Sequence, residues 1–182
     1  MKQTEASIPP AGELEIAIDR DHFLVSLIRE LALSLENVIG LEQASGFFSL
    51  VGQSLGDMFN AAYREAYGVE KLNSDQVAEV LVDLKRRIEG EFQLEKLSDD
   101  RIDLTATACP FAENVKGCTS LCMLTSNVFG IITAENLGYA KVLLDKTIAA
   151  GDAGCSITVF HRSTEACEAE TGREYFGKTK PS

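Results

Sequence analysis

The chain has 182 residues, with 28 acidic and 17 basic side chains, which give a formal net charge of −11. This length suits a single domain with a substantial core. The acidic excess argues against a nucleic-acid-binding surface, which requires clustered Lys and Arg.

The first 18 residues are predicted to form a flexible tail, because Pro9-Pro10 and Gly12 interrupt regular structure. This segment has neither the apolar core nor the cleavage site of a secretory signal peptide. No window of 18 uncharged apolar residues occurs anywhere in the sequence. We therefore expect a cytoplasmic protein that does not contact a membrane.

Three helices are predicted after the tail. The first begins at Asp19 or Asp21 and ends at Gly40, because Asp favours a helix N-cap and Gly a helix end. Its apolar side chains recur at helical spacing and form one stripe: Phe23, Leu24, Leu27, Ile28, Leu31 and Leu35. The second helix is predicted over about 42–67. The third follows Asn73, which forms a capping pattern with Gln76, and ends near Gly90.

Gly46, Gly52 and Gly56 lie inside the second predicted helix, where each costs about 1 kcal/mol relative to Ala. Gly52 and Gly56 are four residues apart and leave a smooth face that another backbone can approach. Close packing within the subunit explains such a face, and so does a dimer seam or a ligand groove.

From residue 92 the pattern changes to the two-residue period of strands. Strands are predicted near 92–97, 102–107, 140–148 and 155–162, with one helix from Thr119 or Ser120 to Gly138. This order predicts an α+β fold, with N-terminal helices followed by an antiparallel sheet of about four strands and one inserted helix. We expect a single domain over residues 19–162 and a polar C-terminal tail over 163–182.

Four of the five cysteines are predicted to lie near one another. Cys109 follows the second strand, Cys118 and Cys122 bracket the start of the inserted helix, and Cys155 begins the last strand. Clustered cysteines in an intracellular protein more often serve metal or redox chemistry than disulfide formation. The alternative is that each is a small buried side chain. Cys167 lies in the predicted tail.

The spacing of the cysteines bears on what they would bind. On one helix face, Cys118 and Cys122 have Cβ atoms about 5–6 Å apart, whereas two thiolates on one zinc ion lie about 3.8 Å apart. Each cysteine of an iron–sulfur cluster binds a different iron, so wider separations are tolerated. The spacing favours a cluster, with zinc as the alternative. Cys122 is the expected thiolate, because it lies in the first turn of a helix.

Other candidate chemistry is sparse. His22 and His161 have no partner at ligand spacing, and His161 is only a weak candidate for a fourth ligand. Nucleotide-binding, zinc-protease and serine-hydrolase motifs do not occur in the sequence. A reactive Cys122 acting with a distant partner is the remaining enzymatic hypothesis.

The run Cys109-Pro110-Phe111, followed by Cys122 and then Gly151-Asp152-x-x-Cys155, resembles the C-terminal half of the methanogen output domain. The stretch LCMLTSNVFGIITAENLGYAKV is similar to the same group. That family is related to the 4-vinyl reductase domain, whose fold resembles that of the Bet3-like vesicle-tethering (TRAPP) subunits. The resemblance covers residues 105–162. It implies a sensory or output domain that often dimerises through its N-terminal helices.

A similar cysteine pattern occurs in iron–sulfur-sensing repressors of cluster-biogenesis operons. This resemblance implies that Cys109, Cys122 and Cys155 hold a 4Fe–4S cluster, with Cys118 favoured as the fourth ligand. The DNA-binding helical domain of those repressors has no counterpart here, so DNA binding is not implied. In phenol-sensing relatives three Cys and a Glu hold zinc. Cys122 and Cys155 match two of these cysteines, but Asp145-Lys146-Thr147-Ile148 replaces the acidic-then-Cys pair.

The sequence therefore predicts a non-enzymatic sensory or regulatory domain that binds an iron–sulfur cluster and forms a homodimer. Because no output domain follows in the sequence, we expect it to signal to a regulatory protein partner in trans. The alternative is a small-molecule sensor with a pocket between helices and sheet and with zinc or no metal. The third hypothesis is an enzyme with a reactive cysteine.

Overall fold

The fold is described from a computed structural model, which covers residues 10–178. Parts of the two predicted tails, residues 1–9 and 179–182, lie outside the described residues. The helices and strands follow in chain order: α1 (Arg20–Ile39), α2 (Leu41–Tyr67), α3 (Ser74–Arg86), β1 (Phe92–Leu97), β2 (Arg101–Ala106), α4 (Ser120–Leu137), β3 (Tyr139–Lys146), β4 (Cys155–Phe160), α5 (Glu165–Glu168) and β5 (Arg173–Phe176).

The helix boundaries follow the capping residues in the sequence. The Asp19 carboxylate accepts a hydrogen bond from the His22 N–H at 2.7 Å and caps α1. Gly40 alone joins α1 to α2, at a φ of +82° that favours glycine. Asn73 and Gln76 form the predicted reciprocal capping box at the start of α3. The helix α3 ends at Arg86, four residues before the predicted Gly90.

The five strands form one antiparallel sheet in the order β1-β2-β4-β3-β5. The predicted α+β class is confirmed, but the sheet has one strand more than the four expected. The additional strand, β5, pairs with β3 at the edge. Tyr175 is the only buried side chain among its four residues, so the strand is too short to show a two-residue period. The Tyr175 ring lies against Gly130, where a Cβ would be 2.2 Å from Cδ2.

The central helix α4 packs between the sheet and α2. A Cβ on Gly52 would lie 2.4 Å from Cβ of Asn127, and one on Gly56 would lie 2.8 Å from Cβ of Ile131. Gly46 has open space around it. Close packing within the subunit therefore accounts for Gly52 and Gly56. Although α4 is strongly apolar, no helix among residues 10–178 combines the length and apolar character that a membrane span requires.

The apolar stripe of α1 faces outward. Phe23 is 59% exposed and Leu31 is 62% exposed, whereas Leu35 is half-buried. The inward face of the same helix contains the buried Ala32 and the half-buried Arg29. The more apolar side of α1 is thus not covered by the described part of its own chain.

Candidate metal centre

Three of the cysteines line a single pocket. Cys109, Cys122 and Cys155 come from the segment after β2, the first turn of α4 and the first residue of β4. The cavity between them is about 30 Å³ in volume. Apolar side chains complete most of the wall: Phe92, Phe111, Val115, Leu121, Leu144 and Ile157. Apart from the cysteines, Lys85 and Thr125 supply the polar atoms of the wall.

Strand pairing brings Cys109 and Cys155 together. Ala106 at the end of β2 pairs with Cys155 at the start of β4, and Cys109 follows three residues after Ala106. Gly154 allows this approach, because a Cβ there would lie 2.7 Å from the Ala106 carbonyl oxygen. The Asp152 carboxylate accepts a hydrogen bond from the Thr147 N–H at 2.8 Å and shapes the turn before β4.

The segment from residue 107 to 119 has one short 3₁₀ turn as its only regular structure. The Gly117 N–H donates to the Ala149 carbonyl oxygen at 2.9 Å. The Arg29 guanidinium of α1 donates to the carbonyl oxygens of Asn114 and Lys116. This segment therefore links the cysteine pocket to the inward face of α1.

Burial raises the pKa of two of the pocket thiols. Burial raises the pKa of Cys122 to about 12, and the neighbouring Cys109 and Cys155 contribute to the increase. Burial also raises the pKa of Cys109, against the opposing effects of the Phe111 N–H and Lys85. For Cys122 this direction opposes the expected thiolate, because desolvation by burial is the largest influence on its pKa.

Lys85 lies behind the cysteines at the C-terminal end of α3 and is only 5% exposed. Its Nζ donates to Thr125 Oγ1 at 2.7 Å and lies 5.2 Å from the centroid of the Phe92 ring. Burial lowers its pKa to about 8, whereas the nearby cysteines oppose that shift. In the sequence Lys85 stands beside Arg86 and Arg87, a basic run that is typical of exposed surface. Its position four residues after Leu81, on the apolar face of α3, is the signal that would have found it.

The other candidate ligands lie elsewhere. Cys118 is fully buried beside the pocket but does not line it, and its Sγ lies 3.5 Å from Ser120 Oγ. His161 follows the far end of β4, about 20 Å from Cys155 along the strand. Cys167 is buried in α5 against the opposite face of the sheet, with its Sγ 3.4 Å from the Tyr139 hydroxyl.

The donor set suits soft metals, since thiolates are the preferred ligands of iron–sulfur clusters and zinc. Among residues 10–178, no group of three or more His, Cys, Asp or Glu side chains is arranged to hold a metal ion. The cavity is also about the size of one water molecule. The residue types therefore suit a cluster, but the cavity between them is smaller than a cluster.

A larger groove of about 570 Å³ lies between the end of α2, α3 and β1. Its polar groups already bond to one another. The Tyr63 hydroxyl donates to Asp83 at 2.7 Å, and Asp83 also accepts hydrogen bonds from Arg86 and Arg87. Because these polar groups bond to one another, we consider the cysteine pocket the stronger candidate for a binding site.

Residues 27–160 match the family model for methanogen output domain 1. The match covers most of the chain, including α2 to α4, four of the five strands and the three pocket cysteines. No curated protein shows significant similarity to the chain.

Proposed function

The chain belongs to the methanogen output domain 1 family, and we propose that it is a sensory domain whose pocket cysteines bind an iron–sulfur cluster. The observation that supports this proposal is the convergence of Cys109, Cys122 and Cys155 on one buried pocket beside Lys85. Thiols from three separate elements form a donor set, whereas isolated buried cysteines serve as small apolar side chains.

The spacing of the cysteines in the sequence favours a cluster over a single zinc ion, because Cys118 and Cys122 are four residues apart. One zinc ion requires its sulfur ligands within about 4 Å of each other. A cluster spreads its ligands over several irons. When bound, a cluster supplies sensitivity to oxidants and reductants. The protein would contribute three thiolates, an apolar wall that excludes water and a buried cation.

Cys118 is our candidate for the fourth ligand. It belongs to the same irregular segment as Cys109 and lies four residues before Cys122. Outward movement of that segment would change the position of Cys118 together with the rest of the pocket wall. A Cys118→Ser variant is expected to retain iron less well than the native chain. Equal retention by the variant would exclude Cys118 as a ligand.

The enzymatic alternative has less support. A cysteine nucleophile needs a lowered pKa and solvent access. Burial instead raises the pKa of Cys109 and of Cys122, the latter to about 12. Metal binding does not need a lowered thiol pKa, because the metal itself displaces the proton.

Anaerobic reconstitution of the full chain with iron and sulfide tests the cluster proposal. We expect the native chain and Cys167→Ser to become coloured, because Cys167 is buried on the opposite face of the sheet. We expect Cys122→Ser to remain almost colourless and low in iron. Equal colour and iron in Cys122→Ser and Cys167→Ser would contradict the proposal.

We also propose that two copies pair through the outward face of α1. Among residues 10–178, most of the exposed large apolar side chains lie in residues 14–58, and the exceptions are Tyr67, Ile88, Leu94 and Phe176. On α1 the spacing of Leu24, Ile28, Leu31, Leu35 and Val38 alternates between four and three residues. That spacing suits packing against a second, identical helix.

The dimension of the exposed surface also supports a second copy. The helices α1 and α2, of 20 and 27 residues, are about 30 and 40 Å long and about 10 Å wide, so one face of the pair presents roughly 700 Å². A standard interface buries about 800 Å² per partner. Arg29 bonds the inward face of the same helix to the cysteine segment. We propose that a change in the pocket reaches a regulatory protein partner in trans through α1. Sedimentation of the native chain is expected to show a dimer, and a monomer at millimolar concentration would contradict the pairing.

A further inference from the structure

Lys85 is a buried cation without a carboxylate partner. Its Nζ bonds to one hydroxyl, of Thr125, and lies over the rings of Phe92 and Phe129 at 5.2 and 5.4 Å from their centroids. Within residues 10–178, no ion pair joins it to Asp or Glu. A hydroxyl and two aromatic faces compensate only part of the lost hydration of an ammonium group.

The pocket cysteines lie beside this cation. Cys109, Cys122 and Cys155 line the same pocket as Lys85. A thiol group is uncharged and offers the ammonium no counter-charge. A cysteine that binds a metal or cluster is a thiolate, because the ligand form of cysteine is deprotonated. A group bound by these cysteines would therefore place negative charge beside Lys85.

We propose that Lys85 is the counter-charge of the metal site, so that it stabilises the anionic cysteine-ligated group and destabilises the empty pocket. The inference rests on the cluster proposed above and adds one residue that touches no iron. It makes Lys85 a positioning and tuning residue, since nearby charge alters both the retention and the reduction potential of a cluster.

Lys85→Met tests this inference, because Met keeps an unbranched side chain of similar length but lacks the charge. In the empty protein it is expected to unfold at a denaturant concentration equal to or higher than that of the native chain. After anaerobic reconstitution it is expected to lose iron to a chelator about tenfold faster. Its one-electron reduction potential, measured at an electrode, is expected to be lower, because the cation that favours the more negative reduced form is absent.

Lys141→Met is the matched control. Lys141 is also a buried lysine, but its Nζ donates to the Cys167 carbonyl oxygen at 2.9 Å on the opposite side of the sheet. Its iron-loss rate and potential should equal those of the native chain. Lys85→Gln provides a second neutral variant that keeps a donor for Thr125, in case Lys85→Met does not fold.

The outcomes separate the two proposals. Failure of the native chain to take up iron overturns the cluster proposal and this inference with it. Uptake by the native chain, with the same iron-loss rate and potential in Lys85→Met or Lys85→Gln, overturns the role of Lys85 alone. Faster loss and a lower potential in the Lys85 variants, with neither in Lys141→Met, support it.

Discussion

The inward and outward faces of α1 and α2 differ in what covers their apolar side chains. The inward face combines large side chains, such as the buried Phe48, with small residues at the closest contacts, namely Ala32 on α1 and Gly52 and Gly56 on α2. The outward face has larger apolar side chains, such as Leu31 at 62% and Val38 at 82% exposed, with no covering element among residues 10–178.

This difference shows that small residues and large apolar residues in a helix sequence indicate different kinds of contact. Small residues mark where the chain packs on itself, since they set how closely two backbones approach. Large apolar residues on the opposite face mark surface that a monomer leaves exposed, and soluble monomers rarely expose large apolar patches. The following substitutions test each face separately.

Gly52→Ala should have the largest effect. The new Cβ would lie 2.4 Å from Cβ of Asn127, so α2 and α4 must separate. We expect the free energy of unfolding to fall by about 3 kcal/mol. Gly46→Ala is the matched control in the same helix, because nothing lies within 4 Å of its Cβ position. That variant should be more stable by about 0.5–1 kcal/mol. Denaturant unfolding of both measures the difference, and equal losses would contradict the packing described.

Leu31→Glu tests the outward face. We expect the dimer dissociation constant to rise about 30-fold, equivalent to about 2 kcal/mol, because a charge replaces an apolar side chain at the proposed seam. Asn37→Glu is the control, since Asn37 is exposed on α1 but is not one of the seam residues. Sedimentation equilibrium measures both. A Leu31→Glu chain that dimerises as tightly as the native one would exclude this face as the interface.

Arg29→Met tests the link between the two faces. Loss of the charged donor to the Asn114 and Lys116 carbonyl oxygens should lower stability by about 1.5 kcal/mol. Hydrogen exchange of the Gly117 amide should become faster, because the segment that holds it loses its bond to α1. Arg20→Met, at an exposed position, should change neither quantity. Unchanged exchange at Gly117 in Arg29→Met would show that Arg29 does not hold the segment.

Substitution of Asp83 should have the smallest effect on the free energy of unfolding, and that effect should depend on pH. Hydrogen bonds from Arg87 and Tyr63 hold its pKa at about 2, below its usual range. The folded pKa is lower than the unfolded one, so the stabilisation is present above about pH 4 and is lost as the pH falls toward 2. Asp83→Asn should cost less than about 1 kcal/mol at pH 7, because both arginines are solvent exposed. Unfolding at pH 7 and pH 2.5 measures it, and an equal cost at both would contradict the ion pair.

Local signals in the sequence predicted most of the fold. Asp19, Gly40 and the Asn73–Gln76 capping box identified helix ends because each acts on neighbouring backbone groups. The strand β5 was missed because its pairing with β3 is long-range and only Tyr175 is buried. The sequence predicts that four cysteines lie near one another, because the paired strands and the helix packed on them join their elements. Three of the four line one pocket, whereas Cys118 does not line it. The burial of Lys85 depends on how α3 packs against α4 and β1, which the basic run in the sequence concealed.

The content of iron, sulfide and zinc in the native chain after anaerobic reconstitution decides whether the pocket cysteines hold a cluster. We expect about four irons and four sulfides per chain with little zinc, and broad visible absorption that oxygen removes. A colourless protein that contains no iron would contradict it.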